Sequence, residues 1–282
     1  MFMFKKLRSI YNDLLTKGAV TEAHGKYLKK VRLREFSIKV SQISILILLT
    51  ISWQLAAKYK IVDPFITSYP SQILNTIYKM ALNGELFKHT WTTLYETLVG
   101  FSLGALTGII IAVILWWSDY LSRIFEPFIV ILNALPKMAL GPVLIIWLGN
   151  GSTAIIGMAL LISIIVTIMM VYNGFRETDK NKIKLLQTLG ANKLQIFKKV
   201  VLPENLPTIF AALKVNIGLS LVGTIVGEFL VSQAGLGYLI VYGGQVFKLN
   251  LVMTSVILLS ILAAVLYYLI VGLEKLVIKW KK

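Results

Sequence analysis

The sequence predicts an all-α protein that crosses a membrane six times. Three observations carry this prediction. Of 282 residues, 57% are hydrophobic, and the mean hydropathy is +0.76. Only 15% are charged, against roughly a quarter in soluble domains. The apolar residues also gather into uncharged runs that reach the ~18 or more residues needed to cross a ~30 Å hydrocarbon core. A soluble enzyme, a fibrous chain and a disordered chain are excluded.

Residues 1–39 are polar and basic and read as a retained cytoplasmic tail, too long and too charged for a cleaved signal. Val40–Ala57 is uncharged and supplies the first span, about 40–57. Between Pro70 and Gly84, the helical spacing of Ile73, Leu74, Ile77 and Met80 predicts an amphipathic surface helix. The second span, 95–117, ends in the interfacial pair Trp116 and Trp117. No residue from Met138 to Phe175 is charged, and Gly149-Asn150-Gly151-Ser152 divides this region into a third span at 124–148 and a fourth at 153–172. The fifth span is placed at 208–231 and the sixth at 250–273, before a basic tail at 276–282. Together these make a transmembrane domain over 40–275.

Basic residues orient the chain. With both ends cytoplasmic, 23 Lys and Arg fall in inner segments and 5 in outer ones, the bias of a multi-pass protein of the cell membrane. The same bias accounts for the net charge of +16 without nucleic acid. There is no Cys, and His24 and His89 are far apart, so neither a disulfide nor a Cys or His metal centre is expected.

The loop at 173–206 is the most informative stretch. Asp179 is placed to cap a helix in which Ile183, Leu186 and Leu189 recur on one face beside Leu185. Gly190 stands where a left-handed residue ends that helix. Leu194, Phe197 and Val200 or Val201 predict a second short helix, which Pro203 is expected to stop, and Pro207 is read as opening the fifth span. Such a helix–turn–helix suits docking into a groove on a soluble partner; an ordinary loop lying on lipid headgroups is the plainer alternative.

The run Lys184-Leu185-Leu186-Gln187-Thr188-Leu189-Gly190-Ala191, followed by Phe197 and Val201-Leu202-Pro203, resembles the EAA motif of ABC importer permeases. Asn133-Ala134-Leu135-Pro136 with Gly141-Pro142, Gly149-Asn150-Gly151, Gly227-Glu228 and Gly235-Leu236-Gly237-Tyr238-Leu239-Ile240 resemble the nitrate/sulfonate/taurine branch of that family. The family usually has Glu where Lys184 stands and small residues at Leu185 and Leu186. The resemblance implies a type I ABC importer permease fold and a homodimer. It also implies a cytoplasmic ATPase dimer that receives the loop, and an extracytoplasmic solute-binding protein. ATP would be bound by the partner alone, so the chain itself has no cofactor and is no enzyme; it carries no G-x-x-x-x-G-K-[ST] loop. The implied solute is a small anion such as a sulfonate, taurine or nitrate, with a small pyrimidine-type vitamin precursor as the alternative. A stand-alone secondary transporter predicts an inverted repeat, and none is found.

Two ionisable residues stand within apolar runs. Glu228 reads either as a translocation-path or gate residue or as a structural carboxylate on backbone donors. Lys137, with Asn133 and Pro136 beside it, either supplies positive charge to the path, pairs with Glu126, or snorkels. Gly100, Gly104 and Gly108, and likewise Gly223 and Gly227, form helix-packing stripes, within the chain or across a dimer.

Overall fold

A computed structural model of the protein describes residues 20–278; residues 1–19 of the basic N-terminal segment and Lys279–Lys282 lie outside them. The chain divides into two compact units, residues 1–71 and 72–282.

In the first unit, α1 (Glu22–Lys58) is one helix of 37 residues, roughly 55 Å long at 1.5 Å per residue. It starts well before Val40, because the Lys-, Arg- and Leu-rich stretch at 26–35 favours helix and no proline interrupts before Pro64. The Thr21 hydroxyl accepts from His24 N at 3.2 Å and caps it. The short α2 (Pro64–Thr67) is capped by Asp63, which accepts from Phe65 N at 2.9 Å. The Gln54 amide donates to Ser71 Oγ and accepts from Ser71 N, closing the unit.

Most of α3 (Pro70–Leu82) belongs to the second unit. Its face is amphipathic as expected, but Ile73 and Met80 are buried, and Met80 joins the main apolar core. The helix therefore has a protein-facing side. Next come α4 (Glu85–Trp117), α5 (Asp119–Ala134), a 3-10 turn (Lys137–Leu140), α6 (Gly141–Leu148) and α7 (Ser152–Glu177). They are followed by α8 (Lys180–Thr188), α9 (Lys193–Ile196), a π-helical turn (Phe197–Val201) and α10 (Leu202–Val231). The last two helices are α11 (Leu236–Gln245) and α12 (Leu249–Val277). The described residues contain no strand. Among the described residues, five helices are long and apolar enough to cross a membrane, or six if one bent pair counts as a span.

That bent pair falls on the third span, where Pro136 and Pro142 imply a kinked or broken helix. In place of one helix over 124–148, α5 and the segment Lys137–Leu148 meet at 88°. Pro136 is the cause: it has no N–H to continue the helix, and it forces Leu135 into extended backbone with ψ 134.

The centre of the second unit is α7, packed between α4 and α10. Both glycine stripes face it from within the same chain. A Cβ on Gly100 would meet Ala159 Cβ at 2.5 Å, and one on Gly108 would meet Thr167 Cβ at 2.6 Å. Gly104 lies against the Ser163 hydroxyl. From the other side, Gly223 and Gly227 approach Ala159 Cα and Ile155 Cα, at 2.6 and 2.9 Å from their would-be Cβ atoms. Small residues on three helices thus allow backbone-to-backbone contact. Gly223→Val is expected to abolish accumulation of monodisperse protein in detergent, because the obstacle is main chain that cannot rotate away. Gly218→Ala in the same helix has nothing within 4 Å and is expected to behave as wild type; equal yields of the two would contradict this packing.

Candidate functional site

The 173–206 loop is built from local rules. Asp179 accepts from Asn181 N at 2.8 Å and starts α8. The helix ends at Gly190, whose φ is +77°. Gly190 N then donates to Gln187 O and Ala191 N to Leu186 O, both at 3.0 Å. A side chain at Gly190 would meet open space, so the glycine is needed for its backbone conformation and not for room. Asn192 and Gln195 form a reciprocal capping box that opens α9.

Tertiary contacts brace this loop. Lys182 pairs with Glu204 of α10 at 3.1 Å. Lys193 Nζ donates to Trp117 O at 2.6 Å and lies 5.6 Å from the Trp116 and Trp117 ring centres. Asn205 donates to Thr178 Oγ1 and Val201 O. Phe197 packs its ring 5.1 Å from Trp116 and 5.7 Å from Phe175.

The placement corrects three expectations. The apolar face of α8 is divided: Ile183, Leu186 and Ala191 pack inward, whereas Leu185 and Leu189 are 61% and 73% exposed and share the opposite side. Lys184 is exposed beside them. Phe197 is an anchor and offers little outward surface. Pro203 stops nothing, because α9, the π turn and α10 run as one helix over Lys193–Val231. The wider π turn falls just ahead of Pro203, so the missing N–H comes where the hydrogen-bond pattern changes from π to α. Pro207 likewise lies inside α10.

The buried carboxyls form a second constellation, at the ends of α4, α7 and α10 remote from that loop. Glu228 is 1% exposed. Its carboxyl accepts from Thr93 Oγ1 at 2.6 Å, from Gly237 N, and from Tyr238 N at 3.3 Å. Thr93 Oγ1 also accepts from Leu236 N at 2.8 Å, and His89 Nδ1 accepts from Gly235 N at 3.0 Å. The first four N–H groups of the α11 terminus therefore all find side-chain acceptors on α4 and α10. This gives Gly235-Leu236-Gly237 a physical reason. The Glu228 carboxyl fills the space that a Cβ at Gly235 (φ +113°) would need, and at Gly237 it would be met at 2.7 Å. Glu228 is buried where it ties α11 to the bundle. Neither Thr93 nor His89 stands out in the sequence as a partner for Glu228, and Glu96, at the start of the second span, reads there as an interfacial residue. Glu96 is in fact 1% exposed, beside the Ser152 and Glu228 side chains, with no satisfactory hydrogen-bond partner for either oxygen.

Asn133, Pro136 and Lys137 gather at the α5 break. Lys137 Nζ donates to Asn133 O at 3.0 Å and so caps a carbonyl freed by the break. It does not pair with Glu126, which accepts from Arg176 at 2.9 Å.

Comparison with known proteins follows this geometry. A family model described as "Binding-protein-dependent transport system inner membrane component" matches residues 104–282. The chain is 30% identical to a probable ABC transporter permease protein of Haemophilus influenzae, over 77% of this chain and 87% of that one. It is 26% identical to the formylaminopyrimidine transport permease protein ThiX of Halalkalibacterium halodurans, over 84% and 94%. It is 27% identical to the putative aliphatic sulfonates transport permease protein SsuC of Bacillus subtilis, over 81% and 83%. Among solved structures, a chain of the inward-facing MetNI methionine ABC transporter shares the fold, with a TM-score of 0.63 at 22% identity, covering 70% of this chain and 98% of that one.

Proposed function

The chain belongs to the family of binding-protein-dependent transport system inner membrane components, and on that premise we propose that it couples ATP hydrolysis in a partner to uptake of a small sulfonate-type anion. The observation that carries the coupling is the braced α8, which holds Leu185 and Leu189 exposed at i and i+4. Exposed apolar pairs of this kind are the anchors of a helix seated in a groove. On this reading the loop is cytoplasmic, the ATPase supplies the groove, and Gly190 sets the angle at which α8 is presented.

The break at Pro136 supports a path. It leaves Asn133 and Pro136 exposed, with the Lys137 ammonium between them. A cation within an apolar helix belongs beside a wet cavity or another protein surface and not beside lipid. A second copy of the chain packed on this face would place two such cations along one path, which suits an anionic solute. A binding protein at the opposite membrane face would deliver it. A second reading, a neutral pyrimidine, is favoured by the similarity to the formylaminopyrimidine permease over 84% of this chain.

Uptake by vesicles containing the permease, its ATPase and its binding protein tests both. ATP-dependent accumulation of an alkanesulfonate, lost on Lys137→Met, is expected. Accumulation of a formylaminopyrimidine with no sulfonate uptake would replace the first reading by the second.

A further inference from the structure

Where α4, α7 and α10 end beside the Glu228 cluster, a pocket of about 300 Å³ opens to the surface. Thr92, Glu96, Asn150, Ser152, Ser232 and Gln233 line it. Every one of these side chains offers an oxygen, and no lysine or arginine is among the described residues that form it. Glu96 stands at its floor, almost without exposed surface and with both carboxyl oxygens unpartnered.

We propose that this pocket receives a cationic head group, an ammonium or guanidinium, on the carboxylate of Glu96.

Electrostatics lead there. Glu228 lies beside Glu96 and is already supplied with donors by Thr93, Gly237 and Tyr238. Neither Glu96 oxygen has a hydrogen-bond partner within 3.5 Å, although the Ser152 and Glu228 side chains stand next to it. Two carboxyls side by side in an apolar interior need either a shared proton or a counter-charge. A cation entering from the pocket supplies it and gives Glu96 the donors it lacks. The carboxyl end of α10, reached at Val231, adds the partial negative charge of its last carbonyls. The amino end of α7 at Ser152 stabilises the carboxylate beside it. The cavity has room for several heavy atoms and neutral acceptors around its wall, which suits an organic head group. Among the described residues no group of three or more His, Asp or Glu gathers to hold a metal.

The head group has two possible sources: a solute that carries an ammonium, or a lysine or arginine of the binding protein. This choice rests on the transport reading; binding by the permease alone does not.

Thermal unfolding of the purified full-length permease in detergent tests the site. Methylammonium or methylguanidinium chloride at about ten times its Kd is expected to raise the midpoint by about 2–4 °C above equal sodium chloride. Glu96→Gln removes that response. Gln233→Lys, which tethers an ammonium at the pocket wall, is expected to raise the midpoint without added ligand and to abolish the response. No response in wild type, the same response in Glu96→Gln, or sensitivity to pH alone overturns the proposal. In ATP-driven uptake, loss in Glu96→Gln confined to an ammonium-bearing sulfonate, with its hydroxyl analogue spared, assigns the head group to the solute. Equal loss for both assigns it to the binding protein.

Discussion

Replacing Leu185 and Leu189 together by aspartate is expected to leave a folded permease that no longer holds its ATPase. Both side chains are largely exposed in the chain alone, so nothing internal is lost. Each leucine buried in a partner's groove contributes roughly 1.5–3 kcal/mol. Two lost together, with charge put in their place, weaken association by a hundredfold or more, at about 1.4 kcal/mol per factor of ten. Yield and thermal midpoint should match wild type while ATPase co-purification disappears. By contrast Leu186→Asp places charge against the buried cluster and is expected to lower stability itself. Unchanged ATPase recovery in the double variant would show that α8 docks elsewhere or not at all.

Glu228→Gln has the second large expected effect, and it falls on stability. A carboxylate accepts from three donors here. A glutamine keeps one oxygen for Gly237 N and Tyr238 N and turns its NH2 toward Thr93 Oγ1, whose remaining acceptor is His89 O at 3.3 Å. The loss is about 3 kcal/mol, a fall of roughly 6–12 °C in the unfolding midpoint for a chain of this size. Thr93→Val removes the second acceptor of the same terminus and should act in the same direction. Wild-type stability of Glu228→Gln with slowed uptake would return the residue to the translocation path.

Much of the fold was legible because membrane spans are written as long uncharged runs, and because Asp179 and Gly190 signal helix ends by their own chemistry. The α5 break was also visible in Pro136, although its angle was not. What stayed hidden depended on distant partners. Two of the acceptors that cap α11, His89 and Thr93, lie on α4, over 140 residues away, so Glu228 alone could be read two ways. The glycine stripes announced close packing, but only the fold shows that both meet α7 at and near Ala159. The division of the α8 leucines depended on which side of that helix α10 and α4 would cover. Pro203 misled because a π turn can accommodate a proline that would end an α-helix.

On the proposed function, α8 is the element that meets the ATPase. The chain has no cysteine, so a single introduced thiol reports one place. Leu189→Cys, labelled with a thiol-reactive photo-cross-linker and irradiated in membranes that contain the assembled transporter, is expected to join the permease to its ATPase. Asn150→Cys, remote from that loop, is expected to give no such product. A cross-link from Asn150→Cys, with none from Leu189→Cys, would contradict the account.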